Sequence, residues 1–265
     1  MKRGLPGPIP LVTSGRPLSL VSRLLWAAAV ILLWWVVTAQ HLVSPLIIPA
    51  PADLMESASN IGWTLADHIL ATFLRTAIGL VLGGIFGITV GLLVQFSSVA
   101  QRLILPFLDM MRPVPVIALL PLFILIFGFS EIGRMVLIVI NTAVFLAIAT
   151  IEAVSKVPEQ WVRFARISGL SKGSVFRKVL MPAIMPFLIG PARLALALAF
   201  TVTIAAEFMG AQVGLGYLIN TARVNLAIPT VWLAILALGA LSQLLDILLV
   251  SVSHDLTRWY RGTEE

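Results

Sequence analysis

Between Arg75 and Arg102 the chain runs for 26 residues without a charged side chain. As a helix, such a stretch would be about 39 Å long, more than the roughly 30 Å of hydrocarbon in a bilayer. Similar charge-poor runs recur from Leu24 to Ala39, Ile69 to Phe96, Val116 to Phe129, Met135 to Ile151, Ala183 to Phe208 and Val231 to Val252. The fifth is interrupted by Arg193 and the sixth contains Asp246. These runs predict an all-α polytopic membrane protein with about six transmembrane helices. Composition agrees, with 59% hydrophobic residues, 11% charged residues and a mean hydropathy of +1.03. A soluble fold of 265 residues could not hide that much apolar surface.

Charge placement predicts the topology. With the N-terminus in the cytoplasm, the inside segments hold Lys2, Arg3, Arg16, Arg23, Arg102, Arg112, Lys156, Arg163, Arg166, Lys172, Arg177, Lys178, Arg258 and Arg261. The outside segments hold Arg134 and Arg223. Fourteen against two sets both termini inside, because short cytoplasmic loops collect Lys and Arg. The first apolar run fits a span, and it also fits a secretory leader with Val37-Thr38-Ala39 at its cleavage site. Cleavage would leave the orientation of the other five spans unchanged.

The net charge of +6 does not point to nucleic acid, since the basic residues fall between apolar runs and form no stripe. There is no cysteine, and His41, His68 and His254 are too dispersed for a local metal motif. No metal site or catalytic residue is expected.

Within the second span, Gly79, Gly83, Gly87 and Gly91 share one helix face at intervals of four. This small-residue stripe lets another helix approach closely in lipid and implies a bundle or a dimer. Ala195, Ala199 and Thr203 repeat the spacing in the fifth span. Pro106, Pro113, Pro115 and Pro121 predict a bent entry to the third span, with a short helix from Leu103 to Met110. Arg75, Arg193, Glu207 and Asp246 lie at or near membrane depth. Such charges mark either a solute pathway or structural pairing. Glu207 and Asp246 lie close to predicted span ends, and Arg75 and Arg193 lie deeper.

The longest polar interruption runs from Glu152 to Pro182 and holds six basic residues. Val157-Pro158-Glu159-Gln160 reads as a helix start, with proline and acid in the first turn. Trp161, Phe164 and Ala165 supply an apolar face, and Gly169 ends the helix. Ser171 is placed to cap a second helix carrying Val175, Phe176 and Val179. Two short amphipathic helices outside the membrane suit docking to a soluble partner, and equally suit the membrane interface.

This loop resembles the signature loop of bacterial ABC importer permeases, the binding-protein-dependent inner-membrane component family. The pattern there is Glu-Ala-Ala, three residues, Gly, nine residues, Ile, one residue, Leu-Pro. Here Ala165 falls on the second alanine, Gly169 on the glycine, Val179 on the isoleucine, Met181 on the leucine and Pro182 on the proline. Arg163 replaces the glutamate and Phe164 the first alanine. Glu152-Ala153-Val154 is closer in letters but lies too far from Gly169. Over roughly Ile69 to Val252, the segments Pro191-Ala192-Arg193-Leu194, Ala205-Ala206-Glu207-Phe208 and Gly214-Leu215-Gly216-Tyr217-Leu218-Ile219 resemble the nitrate, sulfonate and taurine permease branch.

The resemblance implies a type I importer transmembrane domain over 64–252, with five helices and a cytoplasmic coupling loop at 152–182. The first helix at 24–39 precedes it, and tails at 1–23 and 253–265 flank the whole. It implies a cytoplasmic ABC ATP-binding subunit docking on Arg163, Phe164, Ala165, Gly169, Leu170, Phe176, Val179, Met181 and Pro182. It also implies an extracytoplasmic solute-binding protein, and a second permease copy or close paralogue. ATP and Mg would be bound by the partner ATPase. In agreement, the sequence contains no Gly-x-x-x-x-Gly-Lys-Ser/Thr phosphate loop. The branch suggests a small oxoanion or sulfonate, with a pyrimidine vitamin precursor or riboflavin as the alternative. Two other classes are weighed. An ion-coupled secondary transporter would use the four intramembrane charges, but no convincing inverted repeat is visible. A membrane enzyme lacks His-Glu-x-x-His, Gly-x-Ser-x-Gly and clustered metal ligands.

Overall fold

A computed structural model describes residues 20–256. The expected tails fall largely outside them. The chain divides into two units, 1–53 and 54–265. In the first, α1 (Leu20–Ala39) carries its apolar stretch over Ala28–Ala39. The Trp34 indole N–H donates to the Pro49 carbonyl at 3.1 Å, tying the helix to the end of the turn-rich segment that follows. The helix α2 (Pro51–Ile61) begins at the boundary, where the Asp53 carboxylate accepts from the Ala50 N–H at 2.9 Å.

The second unit is a helical bundle, with no strand among the described residues. It contains α3 (Thr64–Phe96), α4 (Ser98–Met111), a 3-10 turn (Val116–Leu119), α5 (Leu120–Phe127) and α6 (Glu131–Ser155). There follow α7 (Glu159–Ile167), α8 (Lys172–Val175), a π turn (Phe176–Leu180), α9 (Met181–Phe208), α10 (Leu215–Val224) and α11 (Ile228–Leu256). Among the described residues, four helices are long and apolar enough to cross a membrane: α3, α6, α9 with its lead-in from Gly173, and α11.

The expected third span is different. The segment Val116–Phe127 is only one arm of a pair, and α4 is the other, the two meeting at 93°. Together they make at most one broken span, so the described helices supply four or five crossings by length and composition. Pro113 and Pro115 bring about the break by denying the backbone two donors in three residues. Ser97 caps the start of α4, accepting from the Ala100 N–H at 3.3 Å, and the helix is longer than the expected 103–110.

A second correction concerns the loop. The expected second short helix does not stand alone, because α8 continues through the π turn into α9 as one 36-residue rod from Gly173 to Phe208. Pro182 cannot supply a helical N–H, and the π turn immediately before it absorbs that lost bond.

The glycine stripe explains the tightest packing. A Cβ at Gly87 would lie 2.5 Å from the Ala143 carbonyl oxygen, and one at Gly91 would lie 2.6 Å from that of Ala147. Cβ atoms at Gly79 and Gly83 would likewise strike Ile138 and Thr142. The partner is thus α6 of the same chain. On the other side α9 buries Ala195, Ala199 and Thr203 completely. Leu137 and Ile138 of α6 pack with Ala199, Val202 and Ala206, while Ala153 and Val154 pack with Ala183, Ile184 and Leu188. Finally α11 closes on α9 through Leu196, Phe200, Ala234, Leu241 and Leu245.

Candidate functional site: docking loop, charge cluster and membrane cavity

The loop after α6 is held by local hydrogen bonds. Gly169 has φ +81°, a conformation that favours glycine. The Leu170 N–H donates to the Ala165 carbonyl at 3.2 Å and the Gly169 N–H to the Arg166 carbonyl at 3.0 Å. This is the paired hydrogen bonding of a Schellman C-cap. Ser171 then accepts from the Ser174 N–H at 3.3 Å and starts α8. The result fixes the direction of α7 relative to the rod. Ala165 is buried, whereas Phe164 is 73% and Ile167 79% exposed. Phe176 and Met181 pack instead on the bundle core, and the Phe96 ring meets Phe176 edge-on at 5.8 Å. Leu170, Val179 and Pro182 are half-buried, and the Arg163 side chain reaches Glu159 at 3.5 Å. The residues named from sequence therefore divide: Phe164 stands exposed, Arg163 lines the cleft between α7 and the ends of α3 and α6, and Ala165, Phe176 and Met181 hold the loop to the bundle. Ile167 belongs to the exposed face and was not singled out from sequence. Its place three residues after Phe164 was the available signal.

At the opposite end of the bundle, Arg75 of α3 lies among acceptors. Its Nε and Nη2 donate to the two Glu131 oxygens at 2.9 and 2.6 Å. Its Nη1 donates to Glu207 and to the Val213 carbonyl, each at 2.7 Å. Glu207 is 1% exposed and also accepts from the Thr72 hydroxyl at 2.9 Å and the Gly216 N–H at 2.8 Å. Gly214 has φ +137°, and a Cβ there would strike the Glu207 carboxylate. Arg134 extends the cluster, donating to Glu131 at 2.9 Å and to the Phe129 and Gly210 carbonyls. This network ties α3, α6, α9 and the 209–216 connection together. Nothing in the local sequence around Glu131 or Arg134 pairs them with residues 56 positions or more away.

Where α4 breaks, the bundle opens into a cavity of about 450 Å³. Its walls are the 111–117 segment, α6 from Asn141 to Glu152 and α9 at Leu198, Thr201 and Val202. The lining is mostly apolar. Asn141 lies on the wall, and its side-chain Nδ2 is buried without a hydrogen-bond partner, as is the Thr142 hydroxyl beside it. At the rim the Arg112 Nη2 meets Glu152 at 3.3 Å, with both side chains more than half exposed. A neutral amide inside an apolar run raises no charge signal, which is why Asn141 escapes a search for intramembrane charges.

Arg193 and Asp246 form the remaining pair, joining α9 to α11. Nε and Nη2 donate to the two carboxylate oxygens at 2.8 and 2.7 Å. Sequence places Arg193 deep in a span and Asp246 near an end; in the structure they lie at one level, with the Arg193 side chain 52% exposed. Among the described residues no group of three His, Cys, Asp or Glu side chains is arranged to hold a metal.

Residues 83–258 match the family described as binding-protein-dependent transport system inner membrane component. The chain belongs to this family. The permease is 31% identical over 85% of its length to a probable ABC transporter permease protein of Brucella melitensis, covering 92% of that protein. It is 29% identical to the taurine transport system permease protein TauC of Escherichia coli, over 88% of this chain and 87% of that one. The formylaminopyrimidine transport permease protein ThiX of Halalkalibacterium halodurans is 27% identical, over 81% of this chain and 90% of that one. A chain of the MetNI methionine ABC transporter, solved in inward-facing conformations, shares the fold with a TM-score of 0.64 at 22% identity, over 75% of this chain and 98% of that one. The protein is therefore the membrane-spanning permease subunit of an ABC importer, with the type I transmembrane fold. The family match encloses the loop around Gly169, the cavity and the Arg193–Asp246 pair; Arg75 lies just before it.

Proposed function

We propose that two copies of this permease form the passage of an ATP-driven importer for a small sulfonate or related oxoanion. An extracytoplasmic binding protein delivers the solute, and the 152–182 loop receives a cytoplasmic ATP-binding subunit that holds the ATP and Mg. The excess of basic residues in that loop supports its cytoplasmic placement. The observation that carries the reading is α7: Phe164 and Ile167 stand exposed on a helix whose angle is fixed by Gly169. An amphipathic helix with unfilled apolar anchors fits a groove on a soluble partner. Because α8 is continuous with α9, force applied at α7 has a rigid path into the membrane.

For the solute, the taurine relative TauC is 29% identical and the formylaminopyrimidine relative ThiX 27%, which favours the sulfonate reading slightly. The ThiX relative supports a second reading, a pyrimidine vitamin precursor.

The test is co-purification with the partner ATPase, followed by uptake in liposomes. Wild type retains the ATPase, whereas Gly169→Arg and Phe164→Glu lose it while still inserting as folded permease. Retention by both variants would place docking elsewhere. Uptake of taurine in preference to formylaminopyrimidine supports the sulfonate reading, and the reverse order replaces it.

A further inference from the structure

Arg193 lies about 18 Å from one end of α9 and about 22 Å from the other at helical rise, well inside the bilayer. A half-exposed guanidinium at that depth cannot face hydrocarbon cheaply; such groups face water-filled cavities or protein. Its hydrogen bonds leave it incomplete. Nε and Nη2 are taken by Asp246, and Nη1 has no partner among the described residues. Arg75 differs in this respect, since all three of its nitrogens are occupied.

Around Arg193 small and polar positions are interleaved with exposed Leu194, Leu244 and Ile247. Gly190, Arg193, Ala197 and Thr201 recur at helical spacing on α9, and all are exposed. Gln243, one turn before Asp246 on α11, is exposed as well. Lipid-facing positions elsewhere are large and apolar, such as Ile85 and Phe86 on α3, at 59% and 58% exposure. Thr201, two turns along α9 from Arg193, also lines the cavity at the α4 break, so this exposed side of the helix leads from Arg193 toward the cavity.

We propose that Arg193 is an anion-contacting residue of the passage: Asp246 clamps one edge of its guanidinium, and the open Nη1 edge meets a sulfonate or similar oxoanion. This deepens the importer reading above and rests on it. A guanidinium edge presents paired N–H donors to tetrahedral oxoanions in a way a lysine ammonium does not. Asp246 fixes the direction of those donors and keeps the site from binding anions too tightly to release them.

The chain has no cysteine, so single thiols report cleanly. Ala197→Cys puts a thiol one turn from Arg193. In the assembled transporter in liposomes, it is labelled with sulfonatoethyl methanethiosulfonate and with its trimethylammonium counterpart, without and with ATP, and modification is read as a mass shift on the permease. We expect labelling in at least one state, with the sulfonate reagent favoured about two- to threefold, since Asp246 offsets part of the guanidinium charge and the reagent meets the open Nη1 edge. Arg193→Gln with Asp246→Asn, which leaves no lone charge, brings the ratio near one; Arg193→Lys retains a preference. Ile85→Cys stays unlabelled. The proposal fails if Ala197→Cys labels no faster than Ile85→Cys in both states, or if the neutral pair leaves the ratio unchanged. Uptake of taurine and methanesulfonate is followed in parallel vesicles. If the labelling pattern holds but neither solute enters, the sulfonate cargo is wrong and the anion site stands. If taurine enters and the ratio ignores Arg193, the cargo stands and the anion site is wrong.

Discussion

Arg75 and Arg193 are both read from sequence as deep in a span, but in the structure Arg75 lies at the bundle end beside the first residue of α6 while Arg193 lies mid-helix, and their surroundings give them different work. Arg75 is 8% exposed and fully hydrogen-bonded between two carboxylates and a carbonyl. Removing one member of such a cluster leaves an uncompensated buried charge, at a cost of about 3–5 kcal/mol. We therefore expect Arg75→Gln and Glu207→Ala to lower the thermal midpoint of the purified permease clearly. Glu131, whose side chain is 56% exposed, can regain solvent, so Glu131→Gln should cost less. Equal effects at Glu131 and Glu207 would mean that burial does not rank these groups. Sequence marks Arg75 and Glu207 as notable, but it does not pair them. They are 132 residues apart, and the bond depends on Gly214 and Gly216 arriving from one further segment, with Thr72 one turn before Arg75 on α3.

The helices themselves were largely legible, because a bilayer demands long apolar runs and leaves few alternatives. The runs read from Ile69, Met135, Ala183 and Val231 became α3, α6, α9 and α11, with α6 and α11 extended by a few residues at both ends and α3 and α9 only at their starts. The broken pair was only half legible. Prolines announce a bend, but whether the arms form one crossing depends on the 93° angle, which tertiary packing sets. The π turn left no sequence signal beyond Pro182. The glycine stripe announced close packing without naming its partner, and here a sharp comparison is available. A methyl group at position 87 meets backbone of α6 at 2.5 Å, whereas one at position 84 meets only the end of the Leu146 side chain at 3.6 Å. Gly87→Ala should destabilise the permease by about 1–3 kcal/mol through overpacking. Gly84→Ala should be neutral or stabilising by up to about 1 kcal/mol, from helix propensity. Denaturant midpoints in mild detergent check both, and a matched loss at the two positions would contradict the assigned α3–α6 interface.

Taken as a whole, the bundle is unevenly fastened, and that unevenness says which part can move. The end around Arg75 is held by buried ion pairs and by the glycine-lined crossing of α3 on α6. At the other end α4 packs the buried Leu108 with Val94 of α3 and Ala147 of α6, and at the cavity rim beyond it α4 and α6 meet through the exposed Arg112–Glu152 pair, at 3.3 Å. Exposed pairs of this kind contribute about 0–1 kcal/mol. Arg112→Gln should therefore leave stability within about 1 kcal/mol of wild type. Opening at the rim breaks only this exposed pair, while the Leu108–Ala147 packing further along α4 stays as a pivot, so on the importer reading proposed above the rim is where the passage would widen. A permease carrying Arg112→Cys and Glu152→Cys, tethered by a cleavable bifunctional thiol reagent, tests this directly. We expect the tether to reduce ATP-driven uptake more than about tenfold, a block equivalent to about 1.4 kcal/mol or more at the barrier. ATPase binding should persist, because α7 is untouched, and cleaving the tether should restore uptake. Continued uptake with the tether in place would mean that α4 and α6 move together and that the passage opens on another side of the cavity.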